Sequence, residues 1–255
     1  MKIILTSHTK MENSKYSIKN NLTIVIPTYN EGRYINSTLT SIYRQFGIYG
    51  TRVIVADNHS TDKTREIVEN LSNLYSDKLK IELIDGGTVG VARNKGAKLV
   101  QTRYVLFIDG DVYIRDLNVI QDTLNTIMSK DLDLVTCQIE CYNGNWKAKL
   151  SFKLFNIVNK IISLKTPFAV GTFFLTDIRP FLMNGMFDET LNHSEDYCLS
   201  KKYNPKKFKI HSHYIGQDDR RFKKMGYLGM VKLLIKGFKN KDNIEFFKSD
   251  VGYWN

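Results

Sequence analysis

The sequence predicts an α/β fold with a mainly parallel central sheet flanked by helices. Three observations predict this class. Short β-branched runs alternate along the chain with stretches that carry apolar residues at helical spacing. The run Tyr104 to Ile108 is almost continuously apolar, which is typical of a strand covered on both faces. Polar or acidic residues follow each of the first four runs, at the positions where parallel sheets bind ligands.

The elements follow one another in regular order. The first strand stops at Pro27, the second at Asp57, and a helix capped by Ser60, Thr61 or Asp62 follows the second. In chain order we predict a strand at 22–26, a helix at 34–46, a strand at 52–56, a helix ending near Tyr75, a strand at 80–84, a helix at 90–100 and a strand at 104–108.

Composition is that of a folded globular protein, with 42% apolar and 25% charged residues. The net charge of +11 makes nucleic acid, anionic lipid and phosphorylated substrates candidate partners. This excess is local, because residues 197–241 contain 11 Lys and 2 Arg against Asp218 and Asp219. The basic residues form no recognisable recognition helix or RNA-binding sheet, so we expect no nucleic acid partner.

Cysteine usage and hydropathy predict the location. Cys137, Cys141 and Cys198 match neither a redox nor a zinc motif, so a reducing cytoplasmic compartment is expected. Apolar stretches are shorter than the roughly 18 residues of a membrane span. We therefore expect a cytoplasmic protein, either soluble or peripheral on the cytosolic face of a membrane.

Polar clusters follow the four predicted strands. They are Pro27-Thr-Tyr-Asn-Glu31, Asp57-Asn-His-Ser-Thr61, Asp85-Gly-Gly-Thr-Val-Gly90 and Asp109-Gly-Asp111. Each cluster alone also suits an ordinary turn or helix cap. Because all four would meet at one sheet edge, together they predict a ligand site. Asp109 and Asp111 can both reach a hard divalent cation, and Gly110 would let a phosphate approach the backbone.

These blocks resemble the family-two glycosyltransferases, which have the GT-A fold. The resemblance rests on eight blocks in matching order, at 22–32, 53–62, 90–96, 104–111, 171–172, 185–188, 194–196 and 220–222. It implies one GT-A domain over 22–226, with a Rossmann-like nucleotide-binding donor half at 22–115 and an acceptor half at 116–226. Residues 1–21 are then a loose lead-in, and 227–255 a basic amphipathic helical extension.

The resemblance implies a nucleotide-sugar site. Its donor contacts would be Pro27, Thr28, Tyr29, Glu31, Asp57, Arg93, Asn94, Asp109, Gly110 and Arg221. Tyr29 would cover the base, and Asp57 would accept from a ring N–H, which favours uracil without excluding guanine. Arg93 and Asn94 would approach base or phosphates from a helix start. Loop packing for Tyr29, and a surface arginine or a cap for Arg93 and Asn94, are the structural alternatives.

The resemblance also implies Mn²⁺ or Mg²⁺ at Asp109 and Asp111, with His213 favoured over His211 as a further ligand. The metal would stabilise charge on the departing nucleoside diphosphate. Asp196 resembles the carboxylate that removes the acceptor hydroxyl proton, which suits a single displacement with inversion. A plain acidic first turn of a helix is the alternative explanation for Asp196.

The expected partners are a nucleoside-diphosphate sugar, with UDP favoured, and a glycan, lipid-linked or protein acceptor. A non-catalytic nucleotide-sugar- or glycan-binding protein on the same fold is the alternative function. Two stretches, 146–165 and 226–241, carry apolar residues at helical spacing beside lysines. Packing against the core is the expected explanation for both, and contact with an anionic membrane is the alternative.

Overall fold

The computed structural model describes residues 17–249, in which the side chains of 221, 228, 230, 231, 233–235 and 238 are not described. The strands are β1 Leu22–Thr28, β2 Thr51–Asp57, β3 Leu79–Asp85, β4 Tyr104–Phe107, β5 Val112–Tyr113, β6 Leu134–Cys141, β7 Phe174–Asp177 and β8 Phe208–Gln217. The helices are α1 Ile18–Asn21, α2 Ile35–Tyr43, α3 Thr64–Leu74, α4 Val89–Lys98, α5 Val119–Ser129, α6 Trp146–Ser163, α7 Ile178–Met183, α8 Glu195–Ser200, α9 Arg220–Lys239 and α10 Ile244–Lys248.

One eight-stranded sheet runs through the molecule in the order β3-β2-β1-β4-β7-β6-β8-β5. Strands β1 to β4 pair in parallel, and β6 also pairs in parallel with β8. Strand β7 is antiparallel to β4 and β6, and β5 is antiparallel to β8. The predicted mainly parallel α/β architecture is therefore confirmed, with the parallel strands β1 to β4 joined to the rest of the sheet through β7.

Both faces of the sheet are buried. Along β1, Ile24 and Ile26 enter one apolar cluster and Val25 enters another, as expected for alternating side chains. The first cluster includes residues from α2, α3 and α5, and the second includes residues from α4, α7 and α8. Helix α4 packs closely on β1, because a Cβ at Gly96 would collide with Val25. This close packing fixes α4 against the sheet.

The N-terminal end of the described residues differs from the loose lead-in that was predicted. Residues 18–21, predicted as part of a loose lead-in, form α1 and bury Ile18 in the core. Residues 1–16 of that lead-in and 250–255 of the predicted extension lie outside the described residues. Within α9, Gly226 has φ 71° and breaks the helix, at the point where the extension was predicted to begin.

Candidate functional site

The Asp109–Asp111 segment leaves the carboxyl end of β4 and is fixed by α2. The Thr38 hydroxyl lies 2.9 Å from Gly110 O and 2.8 Å from Val112 O, to which it donates. A Cβ at Gly110 would lie 3.0 Å from Thr28 Cγ2 and 3.3 Å from Glu31 Cγ. Glycine therefore lets the segment pack tightly against the end of β1. This is a structural reason for Gly110, in addition to the predicted approach of a phosphate to the backbone.

Asp57 joins the ends of β1 and β2. It is fully buried, and its carboxylate accepts hydrogen bonds from Thr28 Oγ1 at 3.0 Å, Ser60 N at 2.9 Å and Ser60 Oγ at 2.6 Å. Arg65 adds an ion pair at 3.3 Å. Both carboxylate oxygens are thus held by the protein, so Asp57 can reach a base only if its turn moves. Tyr29, in contrast, is 57% exposed at the same edge.

Arg93 lies at the centre of a buried cluster that we call the Arg93 cluster: Arg93, Asp109 and Glu195. Its guanidinium donates to Asp109 Oδ1 at 2.6 Å and to Glu195 Oε1 at 2.5 Å. Its Cζ also lies 5.1 Å from the ring centroid of Phe187. The cluster joins α4, the end of β4 and α8, and so brings the helix that carries Arg93 to the helix that carries the predicted base Asp196.

Asp196 lies beside this cluster, partly buried on the first turn of α8. Gly171 N donates to its Oδ2 at 2.6 Å and Tyr197 N to its Oδ1 at 2.7 Å. Burial, reinforced by the negative charge of Glu195, raises the pKa of Asp196 to about 7, although Arg93 and the two N–H groups oppose the rise. A carboxyl group with a pKa near the working pH suits general-base chemistry.

Gly171 separates Asp196 from Arg93. A Cβ at this position would collide with Arg93 Nη2 and lie 3.3 Å from Asp196 Oδ2. Next to it, Thr172 Oγ1 is buried without a hydrogen-bond partner among the described residues, as is Arg93 Nε. Buried polar atoms are usually paired, so each of these two atoms is a candidate to bind a polar ligand or water.

A second set of contacts, which we call the Arg220 bridge, comprises Arg220, Glu31 and Asp111. Arg220, the first residue of α9, binds Glu31 with two hydrogen bonds of 3.0 and 2.8 Å and reaches Asp111 Oδ2 at 2.6 Å. Its backbone N donates to Asp218 Oδ1 at 2.6 Å. Burial raises the pKa of Glu31 to about 7, with Arg220 opposing the rise and Asp111 adding to it.

From the sequence, Arg220 and Arg221 were both candidates to steady the diphosphate, with surface exposure as the alternative, and only Arg221 was included among the predicted donor contacts. The contact of Arg220 with Asp111 was not predicted. The Arg221 side chain lies outside the described residues. The only signal for Arg220 was the doubled arginine at the C-terminal end of the resemblance, and nothing local distinguishes the two. Glu195, which precedes the predicted base Asp196, was not predicted as a site residue, although it binds Arg93.

Asn94 has a different environment from the one predicted. Its Nδ2 donates to Phe187 O at 2.8 Å and Glu189 Oε1 at 2.9 Å, while its Oδ1 accepts from Phe187 N at 3.1 Å. The side chain is buried, and both ends of its amide hold the loop after α7. In this arrangement the amide is not available for the predicted contact with base or phosphate. Asn94 instead positions Phe187, whose ring lies against Arg93.

The predicted third metal ligand lies elsewhere. His213 contacts Asp116 Oδ2 at 3.1 Å and Asp122 Oδ2 at 2.9 Å, and its ring stacks on His211 with centroids 4.8 Å apart. The two histidines do share one side of β8, as predicted. In the part of the chain that the structure describes, no three His, Cys, Asp or Glu side chains form a group that could hold a metal. His213 is therefore not assembled with the two aspartates.

Asp109 and Asp111 fit a hard divalent cation by their chemistry, since carboxylate oxygens are the donors that Mg²⁺ and Mn²⁺ prefer. In the present arrangement each carboxylate is engaged by an arginine, Asp109 by Arg93 and Asp111 by Arg220. The side chain of Arg93 is 2% exposed and that of Arg220 is 34% exposed. Of the two contacts, the one made by Arg220 is the more readily exchanged for a cation.

Curated glycosyltransferases are similar in sequence to this chain. The chain is 31% identical over 131 residues to the poly(ribitol-phosphate) beta-N-acetylglucosaminyltransferase TarS of Staphylococcus aureus, a match that covers 51% of this chain and 23% of that protein. It is 25% identical over 256 residues to the GalNAc(5)-diNAcBac-PP-undecaprenol beta-1,3-glucosyltransferase of Campylobacter jejuni, covering 91% of this chain and 80% of the relative. The chain thus spans about a quarter of TarS.

Solved structures share the fold. TarS residues 1–349 in complex with UDP-GlcNAc match with a TM-score of 0.59 and 26% identity, over 76% of this chain and 58% of that one. A mannosyltransferase from Pyrobaculum calidifontis, solved with GDP-Man and Mn²⁺, matches with a TM-score of 0.64 and 16% identity. That match covers 91% of this chain and 71% of the other, and at this identity it shows the fold alone.

A family model described as glycosyl transferase family 2 matches residues 23–184, which is more than half of the chain. The matched range includes the ends of β1, β2 and β4, and with them Glu31, Asp109 and Asp111. The sheet topology, the site at its edge and this match together show that the chain belongs to glycosyl transferase family 2.

Proposed function

We propose that this protein transfers a sugar from a nucleoside-diphosphate sugar to an acceptor hydroxyl, with inversion at the anomeric carbon. The observation that carries the proposal is the connection, through the Arg93 cluster, between Asp109 at the donor edge and Asp196 beside it. Asp196 has a pKa raised to about 7, so it can accept a proton near neutral pH. Family membership supports the same chemistry.

In the proposed reaction Asp196 takes the proton of the acceptor hydroxyl as its oxygen attacks the anomeric carbon. The bond from that carbon to the diphosphate oxygen breaks, and the diphosphate takes the electron pair. The N–H groups of Gly171 and Tyr197 orient Asp196. The buried polar atoms Thr172 Oγ1 and Arg93 Nε are suited to bind hydroxyl groups of the sugar or acceptor between the two carboxylates.

For the donor we favour a UDP-sugar. The exposed Tyr29 ring would cover the base, with Pro27, Thr28 and Glu31 on the same loop. Asp57 would then act by holding Thr28 and the turn at Ser60 rather than by direct contact, since both are its hydrogen-bond partners. TarS, solved with UDP-GlcNAc, shares this fold at 26% identity, which supports the choice of UDP.

Mn²⁺ or Mg²⁺ would be held by Asp109 and Asp111, and when bound it would supply positive charge to the departing diphosphate. Arg93 keeps Asp109 oriented through its 2.6 Å contact. Arg220, when it leaves Asp111, offers a guanidinium that pairs well with phosphate oxygens. We propose Arg220 in place of Asn94 as a phosphate contact; Arg221 stays a prediction.

The acceptor class is proposed as a lipid-linked glycan, ahead of a free glycan or a protein. The Campylobacter relative, whose name specifies an undecaprenol-linked substrate, matches over 91% of this chain. A cytoplasmic location, peripheral at a membrane, would suit such an acceptor and stays a prediction.

The test is a turnover assay with UDP-, GDP- and TDP-sugars, each with and without Mn²⁺. We expect turnover of at least one UDP-sugar by wild type and its loss in Asp196→Asn. Glu69→Gln, an exposed acid on α3, serves as the matched control and should keep wild-type turnover. Binding of UDP without turnover of any donor would support the non-catalytic binding protein instead, and wild-type turnover in Asp196→Asn would remove Asp196 as the base.

A further inference from the structure

Helix α6 presents its apolar side chains to solvent. Trp146 is 69% exposed, Ile161 63% and Leu154 54%. With Leu150, Ile157 and Val158, which are also exposed, they form what we call the outer face of α6. The sequence-based expectation that these residues pack against the core is therefore wrong for this helix. A contiguous exposed apolar surface of this kind marks an interaction site.

The opposite side of α6 is fixed against the sheet. Ala148, Phe152, Asn156 and Asn159 are buried there. The Asn156 side chain accepts from Ile139 N at 3.0 Å and donates to Ile139 O at 2.7 Å. Strand β7 pairs with β6 only at residues 134–136, so Asn156 bonds the part of β6 that lies beyond β7. The outer face cannot turn inward without breaking these hydrogen bonds.

The charged residues of α6 have one sign. Residues 146–165 contain five lysines and neither Asp nor Glu. Lys149, Lys153 and Lys160 are exposed, and at 100° per residue they project from one flank of the outer face. A helix with an apolar face and flanking lysines suits an anionic lipid surface. A second copy of this chain would instead bring two positively charged helices together, which disfavours self-association through this face.

We infer that α6 docks the protein on an anionic lipid bilayer, with its outer face buried at the boundary of head groups and acyl chains. The lysines would contact the anionic head groups. None of the helices within residues 17–249 is long and apolar enough to cross a bilayer, so this contact is an interfacial one.

The docking surface is connected to the acceptor side of the site. From the inner side of α6, Phe155 packs on Phe168 with centroids 5.9 Å apart, and Phe168 packs on Tyr197 at 4.8 Å. Tyr197 directly follows Asp196. Insofar as Asp196 is the base of the proposed function, this packing places the reacting acceptor hydroxyl near the bilayer that would hold a lipid-linked acceptor.

The experiment is flotation of the full chain with vesicles of phosphatidylcholine, with and without phosphatidylglycerol. We expect wild type to float with the anionic vesicles and to do so less at high salt. With vesicles of phosphatidylcholine alone it should remain in the unbound fraction. The double variant Leu154→Glu/Ile161→Glu should lose at least about tenfold in the bound-to-free ratio. Leu74→Glu, at an apolar position of α3 that is 68% exposed, is the matched control and should float like wild type.

Two further measurements keep the outcomes distinct. Thermal unfolding checks that the variants are folded, and light scattering gives the oligomeric state. Failure of wild type to float, or equal flotation of the double variant, would overturn the inference. A dimeric wild type together with a monomeric double variant would also overturn it, since the outer face would then be covered by a second copy. Donor turnover measured without vesicles reports separately on the proposed function, because flotation requires no catalysis.

Discussion

The Arg93 cluster and the Arg220 bridge bind two neighbouring aspartates through arginines that differ in exposure. Arg93 projects from α4 into a site where its side chain is 2% exposed, between Asp109 and Glu195. Arg220 begins α9, and its side chain is 34% exposed over Asp111 and Glu31. A buried charge that loses its partner has no water to replace it, whereas a partly exposed one does. The first arrangement therefore belongs to the architecture, and the second can exchange partners.

Removing the buried arginine should give the largest effect on stability. We expect Arg93→Met to lower the free energy of unfolding by about 3–5 kcal/mol, because Asp109 and Glu195 would be left as buried carboxylates without their cation. Arg220→Met should cost less, about 1–3 kcal/mol, because Glu31 and Asp111 are also largely buried but the space left by the partly exposed arginine is open to water. Urea denaturation measures both. Equal losses in the two variants would mean that the burial of the two arginines does not determine their roles.

The pH dependence of transfer separates Asp196 from the Arg220 bridge. Because burial raises the pKa of Asp196 to about 7 and the base must be ionised, kcat/KM should rise about tenfold per pH unit up to about pH 7 and then level. From pH 5 to 7 this amounts to roughly 100-fold. Glu31→Gln should keep this limb even though the Glu31 pKa is also raised to about 7. If the rise of kcat/KM between pH 5 and 7 disappears in Glu31→Gln, the titrating group belongs to the Arg220 bridge and not to Asp196.

A single methyl group tests how closely the Arg93 cluster is packed against the base. In Gly171→Ala the new Cβ would meet Arg93 Nη2 and approach Asp196, so one of them must shift. We expect a loss of about 1–3 kcal/mol in stability, together with a lower kcat. Gly237→Ala, where a Cβ has no neighbour within 4 Å among the described residues, provides the control. An unchanged melting temperature and unchanged turnover in Gly171→Ala would show that Arg93 and Asp196 can move apart at little cost.

The smallest expected effect concerns the exchange of Arg220 for a cation. Removing its contact with Asp111 in Arg220→Gln should tighten Mn²⁺ binding to the free protein by about tenfold, or about 1.4 kcal/mol, measured by titration calorimetry. Arg179→Gln removes a surface arginine that pairs with Asp177 and should change nothing. Weaker Mn²⁺ binding in Arg220→Gln would indicate that the arginine organises Asp111 for the ion instead of competing with it.

The parts of the fold that the sequence predicted are those encoded by local patterns. Strands β1, β2 and β4 and the polar residues at their ends follow from runs of β-branched residues and the turns after them. The pairing of Asp109 with a helix-start arginine was not predicted, although Arg93 and Asp109 were both candidates. Their contact depends on how α4 packs over β1, which the close approach of Gly96 to Val25 decides.

The features that were missed depend on contacts between distant segments. Asn94 bonds a loop 93 residues away, and Arg220 reaches Glu31 across 189 residues. His213 contacts Asp122 on α5 and Asp116 in the turn before that helix. The alternation of histidines along β8 does not show that the ring points toward these two aspartates. Helical periodicity also identifies an apolar stripe on α6 without showing whether the stripe faces the core or solvent.

The hydrogen bonds between Asn156 and β6 protect the protein against pairing with the strands of other chains. Beyond Thr136, where β7 ends its pairing, the backbone of β6 would be an open strand edge and a template for pairing with other chains. Asn156 occupies both polar groups of Ile139 on that edge. Loosening α6 would thus expose a strand edge and the apolar residues beneath the helix together. Conditions that stabilise α6, such as a mild detergent or lipid, should therefore also suppress amyloid-like association during purification.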